Sequence, residues 1–414
     1  MTSIKVKFRA AAETGREGTI YYQIIHNRCA RQLMTVHKAL PEEWDERRSG
    51  LKIPKLGVRQ RKVRQVREMV RRDVERLWRI VRRLDDEGTE YTADDVMEEY
   101  SRYVHDYSLH NFMSRIIGKL RINGKVRTAE TYRVTMSSFR KFMECRLGDS
   151  QTGMNGTGWS ELMIDDLDGE MMEEYEGWQR ARGVTPNTTS FYLRILRAVY
   201  NRAVESGAVE NCHPFRHVYT GIDKTVKRAL PIHTIKRIRQ LDLHSAPSLD
   251  YARDMFILSF FLRGMSFVDM AYLRKSDLKN GHVIYRRRKT GQQLMIGWTK
   301  EMQNILDKYP ENPTDYLLPI IRSRSGNERC TYRNVGYNIN RSLKKIAELV
   351  GVDMPLTLYV ARHSWASAAR TKGIPLSVIS EGMGHDSEAT TQIYLASLDT
   401  SVVDRANSLI MASV

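Results

Sequence analysis

Five short stretches in the last third of the chain carry residues suited to handling a phosphate. Phe260-Phe261-Leu262-Arg263-Gly264 sets an Arg at the end of an apolar run, an odd place for a merely solvated side chain. Arg288-Lys289-Thr290-Gly291 places a Lys at a predicted hairpin tip. Tyr359 and Arg362 fall three apart, on one face of a predicted helix. His385 comes just past a helix end, and Tyr394 follows nine residues later. Arginines for the non-bridging oxygens, a proton donor for the leaving oxygen and a protein nucleophile are what phosphate chemistry needs when side chains supply the positive charge. Other chemistries lack their residues. The sequence has no Gly-x-x-x-x-Gly-Lys-Ser/Thr loop, no His-Glu-x-x-His and no Gly-x-Ser-x-Gly elbow. The 11 histidines and four cysteines are scattered, so neither a metal nor another cofactor is expected.

The boxes resemble those of the tyrosine recombinase (phage integrase) family, which runs Arg, Lys, His/Lys-x-x-Arg, His/Trp and Tyr in that order. The family's last boxes appear here as Arg362-His363, Met383-Gly384-His385 and Thr390-Thr391-Gln392-Ile393-Tyr394. The resemblance is dense over the last third and weaker upstream. It implies a site-specific recombinase or integrase of a phage or mobile element, with Tyr394 attacking DNA to form a 3′-phosphotyrosine. Arg263 and Arg362 would clamp the non-bridging oxygens, His385 would donate a hydrogen bond to the same phosphate, and Lys289 would protonate the leaving 5′-oxygen. His363 is expected to be structural. The implied partners are double-stranded DNA, further copies of the chain in a homotetramer on paired sites, and accessory DNA-bending or directionality factors.

Two departures from the family pattern stand out. The family's first box has its acid three residues after the Arg, but Asp269 lies six after Arg263, and Ser266 stands three before Asp269. Either the local helix is rearranged, or Ser266 holds the Arg position and Arg263 supplies charge from one turn away. Tyr359 stands where the family carries His or Lys; a phenol with a pKa near 10 is a poor base, so a phosphate-orienting role is expected instead. The same chemistry would serve a type IB topoisomerase. A catalytically inactive DNA-binding factor is the third reading, favoured by Tyr359 and by the displaced Arg263.

The elements that must position these residues follow from charge and periodicity. Lys and Arg number 66 against 49 Asp and Glu, a formal charge of +17 that suggests a polyanionic partner, nucleic acid first. No apolar run approaches the ~20 residues of a membrane span, and a cytoplasmic protein is expected. The pattern predicts a mainly α, multidomain chain. A small antiparallel sheet covers 1–58, with strands around Ile4–Phe8, Thr19–His26 and Arg31–His37, and the resemblance implies that it is an arm-type DNA-binding domain. A basic coupling helix covers 59–90, striped by Val63, Val66, Val70, Val74, Leu77, Val81 and Leu84. Its other faces hold eleven basic residues from Arg59 to Arg83 against three acids, which reads as a track for phosphates. Four helices over 91–218 (Thr92–Leu109, Thr128–Cys145, Asp168–Arg182 and Asn187–Glu205) resemble the family's SAM-like core-binding domain. A linker at 219–228 leads to a mixed α+β catalytic, DNA breaking-rejoining domain at 229–414, closed by a tail helix over Val402–Met411.

Overall fold

The computed structural model describes residues 2–13, 15–55, 57–88, 90–147, 162–207, 209–223, 228–323, 327–395, 408 and 410–412, with the backbone alone at 58, 61, 147 and 393–395. The chain divides into two compact units, Met1–Asp223 and Lys224–Val414. The tail helix expected over 402–411 lies largely outside the described residues.

The first unit opens with β1 (Thr2–Arg9), β2 (Gly18–His26) and β3 (Cys29–Ala39), an antiparallel sheet in that order. Asn27 and Arg28 take positive φ values of 46° and 67°, the two-residue turn whose twist suits a hairpin. Strand alternation sends Ile20, Tyr22 and Ile24 to one buried face. That face shares a core with Leu77 and Val81 of α1 (Val58–Glu87) and with Val96 and Tyr100 of α2 (Ala93–Tyr107). A short ribbon, β4 (Trp44–Asp45) with β5 (Gly50–Leu51), precedes α1. Thr92 starts α2 through a reciprocal capping box with Asp95.

The expected helix Thr92–Leu109 is followed by one the sequence reading lacks. Ser108 takes an extended conformation, ends α2, and caps α3 (Leu109–Ile122) by accepting the Asn111 N–H. The bundle is therefore α3, α4 (Val126–Leu147), α5 (Gly169–Ala181) and α6 (Pro186–Glu205), around Leu109, Met113, Phe139, Tyr175 and Leu196. Helix α2 belongs to the core of the sheet instead.

The phosphate-track reading of α1 needs correction. Arg59 bridges Glu17 and Glu43, Lys62 bridges Glu17, and Arg71 pairs with Glu68 and Glu75. Arg83 reaches Glu87 and Glu99. Arg72 meets Glu68, Asp166 and Asp168, and Arg76 meets Asp73, Asp165 and Asp166. Much of this helix's positive charge is balanced from within, by acids that mostly lie far off in sequence. Arg64, Arg67 and Arg79 remain exposed.

The second unit is built on α8 (Pro247–Phe261), a helix apolar on nearly every side because α7 (Ile232–Gln240) and three later helices surround it. Those three are α10 (Lys300–Leu306), α11 (Glu328–Leu349) and α12 (Leu358–Thr371). Between α8 and α10 come the five-residue α9 (Phe267–Ala271) and a sheet of β6 (Leu278–Lys279), β7 (His282–Arg286) and β8 (Gln293–Gly297). Helices α13 (Leu376–Met383) and α14 (Glu388–Leu395) close the described fold, packing on α12 and on each other. Phe256, Leu258, Ile296, Leu343 and Val360 are all essentially buried in one core.

Candidate active site

Past the end of α8 the chain reverses through two left-handed residues, Arg263 at φ 58° and Gly264 at φ 70°. Position 264 must be glycine on a second count: a Cβ there would stand 2.5 Å from the Arg362 Cα. This close approach brings the Gly264 carbonyl to Arg362, whose Nη1 donates to it at 2.9 Å. The same guanidinium donates through Nη2 to the Met383 carbonyl at 2.7 Å and meets His385 Nε2 at 2.9 Å. Gly384, at φ 63°, ends α13 and turns His385 towards that arginine. The other ring nitrogen, Nδ1, lies 2.7 Å from Thr391 Oγ1 in α14. Tyr394 follows three residues later in α14; its side chain lies outside the described residues.

The hairpin β7–β8 is pinned to this assembly by a buried carboxylate. Ser266 caps α9 and donates to Asp269 Oδ2 at 2.6 Å, while Asp269 Oδ1 accepts the Arg288 N–H at 2.9 Å. Strand parity then decides the fate of three consecutive arginines. Val283, Tyr285 and Arg287 share the covered face, whereas Arg286 and Arg288 turn out, Arg288 lying over the Tyr272 ring at 4.1 Å. Arg287 is 7% exposed and donates to the Gly384 carbonyl. Lys289, at the tip, is exposed. Burial, then the charges of Arg362, Arg287 and Lys289, push the His385 pKa down to about 4, so this imidazole is neutral at pH 7. Burial and Asp269 raise the Tyr285 phenol, against the pull of Arg362, Arg287 and Arg263. Arg263 thus belongs to the same cationic cluster, and its Cδ is 3.8 Å from where a Cβ on Gly382 would stand.

Residues 108–218 match the phage integrase SAM-like domain and 234–401 the phage integrase family. The chain belongs to the tyrosine recombinase family of site-specific DNA recombinases. The tyrosine recombinase XerC of Roseiflexus sp. is 25% identical over 274 residues, covering 64% of this chain and 82% of that protein. XerA of Thermococcus kodakarensis is 25% identical over 220 residues, covering 52% and 72%. The fold of a lambda integrase dimer bound to a core site superposes with a TM-score of 0.52 at 16% identity, over 90% of this chain and 91% of that one.

The recombinase therefore gathers Arg263, Lys289, Arg362 and His385 from four separate stretches around the start of α14. Tyr359 lies one helical turn before Arg362 in α12. It is 52% exposed, and its ring meets that of the buried His363 edge-on at 5.0 Å. Both ring nitrogens of His385 make contacts inside the protein, Nε2 with Arg362 and Nδ1 with Thr391. Arg287 is absent from the sequence reading, and Thr391 enters it only as a member of the closing box, with no role of its own. Alternation along β7 would have found Arg287, since it continues the buried parity of Val283 and Tyr285.

Proposed function

We propose that the recombinase cleaves duplex DNA with Tyr394 and rejoins it to a partner strand, integrating or excising a mobile element. The Tyr394 oxygen bonds to phosphorus as the bond from phosphorus to the 5′-oxygen breaks. Lys289 gives a proton to the departing oxygen, and the phenol's proton passes to water or to the phosphate. Arg362 and Arg287 hold the non-bridging oxygens, with Arg263 adding charge beside them. In this account Ser266 occupies the family's first Arg position, and Arg287, reaching in from the hairpin, takes over its electrostatic work. The resulting phosphotyrosine keeps the energy of the broken bond, so strand exchange needs no nucleotide. Four protomers on two duplexes would carry it out, with accessory DNA-bending factors.

One observation carries this reading: a buried cluster of cations whose contacts among the described residues include backbone carbonyls and a neutral imidazole, beside the helix bearing Tyr394. Such a cluster retains its positive field for an anionic ligand. The surface supports duplex DNA as that ligand. Arg333, Tyr337, Arg341 and Lys344 recur at helical spacing along the exposed side of α11, and among the described residues the three cations form no ion pair. The sheet at 1–58 and the exposed Arg64, Arg67 and Arg79 of α1 are read as a second, arm-type DNA contact.

Tyr394→Phe is expected to abolish covalent trapping on a nicked suicide duplex while leaving DNA affinity unchanged. Trapping by that variant would refute the nucleophile. Cleavage by the native protein is expected to persist in EDTA, since side chains supply the charge. Relaxation of supercoils without exchange between defined sites would favour the topoisomerase alternative.

A further inference from the structure

Thr391 has no part in the steps above, yet its side chain is fully buried. Its Oγ1 lies 2.7 Å from His385 Nδ1, and His385 Nε2 lies 2.9 Å from Arg362 Nη2. A guanidinium has hydrogens to give and no lone pair with which to receive one. His385 Nε2 must therefore be the acceptor and carry no hydrogen. The neutral ring's one N–H then sits on Nδ1 and donates to the Thr391 oxygen. Among the described residues the charged groups that act on the ring are Arg362 from α12 and Arg287 and Lys289 from the hairpin. All three are cations, so nothing among them favours an imidazolium.

We propose that Thr391 is a positioning residue for strand cleavage: its hydroxyl accepts the Nδ1–H that the Arg362 contact leaves on His385 and thereby ties the helix carrying Tyr394 to the Arg362 clamp. The proposal rests on the recombinase reading of Tyr394. Thr391 precedes Tyr394 by three residues in α14, less than one helical turn, so an anchor at one fixes the backbone of the other. Valine at 391 would keep the shape and lose the acceptor. The Nδ1–H would then be buried without an acceptor, and the ring would lose the contact that seats its Nε2 against the Arg362 N–H. Serine would keep the oxygen.

The test uses the full-length chain as Thr391→Val, Thr391→Ser and Tyr394→Phe, on a nicked core-site duplex cleaved by the native protein. Single-turnover covalent-complex formation is expected to fall about tenfold or more in Thr391→Val, as the loss of one buried hydrogen bond implies, with DNA affinity unchanged. Thr391→Ser should stay within about threefold of native, since the acceptor remains. Nitrogen NMR on histidine-labelled native protein should show His385 protonated at Nδ1 and bare at Nε2, its signal assigned by loss in His385→Gln. This measurement needs no Thr391 variant to fold. A native His385 carrying its hydrogen on Nε2 would overturn the proposal, as would a Thr391→Val enzyme of native speed or a Thr391→Ser enzyme as slow as the valine. Covalent trapping by Tyr394→Phe would remove the nucleophile assignment instead, a failure separate from the tautomer result.

Discussion

Arg76 in α1 and Arg362 in α12 are almost equally hidden, at 4% and 3% exposed. Around Arg76 stand three carboxylates: Asp73 at 2.9 Å, Asp165 at 2.6 Å and Asp166 at 2.5 Å. Asp73 also accepts from the Tyr22 hydroxyl at 2.9 Å and lies 2.8 Å from His37 Nε2. Burial opposes the Asp73 charge, but His37, Arg76 and Tyr22 outweigh it and hold the carboxyl below its ordinary range. The contacts described for Arg362 are instead with two carbonyls and a neutral ring. A buried arginine caged by acids is a structural tie; one seated on neutral acceptors keeps its field for a ligand.

The largest expected effect comes from breaking the second arrangement. Arg362→Gln should slow covalent-complex formation by about 10²–10³-fold, the scale of losing a preorganised oxyanion contact, with binding to core-site DNA nearly intact. A variant that cleaves within tenfold of native would mean that Arg287 and Arg263 suffice. Arg76→Met tests the other side. It leaves carboxylates buried without their cation and should destabilise the first unit by about 3–5 kcal/mol, read as a lower denaturant midpoint. An unchanged midpoint would mean that solvent or protonation relieves the acids. For the same reason, removal of residues 1–90 is a poor probe of arm-site binding, because it strips Asp165 and Asp166 of Arg72 and Arg76.

Acidity offers a gentler test. A pKa of about 4 keeps His385 about 90% neutral at pH 5, where an imidazole of ordinary pKa 6.5 would be about 3% neutral. Cleavage should therefore change less than about twofold between pH 7 and pH 5, and a rate falling through pH 6.5 would contradict the buried setting. Stability has a defined sign. Between about 4 and 6.5 the unfolded chain binds the proton that folded His385 refuses, so this contribution is full above 6.5 and is lost as pH falls through that window. Smallest of all is Tyr359→Phe. With the ring half exposed and set against His363, removal of its hydroxyl should cost at most about tenfold in cleavage rate, the value of one hydrogen bond.

The contrast between the two arginines also marks where sequence reading stops. Local signals were legible: the three strands of the first sheet, the stripe of α1, the apolar α8 and the closing boxes around Arg362, His385 and Tyr394. Three things depend on distance along the chain and were not. The acids that neutralise α1 come from Glu17, Glu43, Glu99 and Asp165–Asp168, and no periodicity within the helix announces them. Ser108 looks like any polar residue inside a helical run until α3 docks and makes it a cap. Ser266 and Asp269 break the family's first box, and only the fold shows Asp269 gripping the Arg288 amide while Arg287 turns inward.

Gly264 bears on the order in which the molecule assembles itself. Its carbonyl and Arg362 are 98 residues apart, and Arg287 reaches Gly384 across 97. Contacts of such separation close late, after local helices and hairpins have formed, because each demands a large loop to be drawn shut. In a chain still emerging from synthesis the local helices and hairpins would precede both closures, so the contacts of Arg362 and Arg287 are among the last features of the second unit to form.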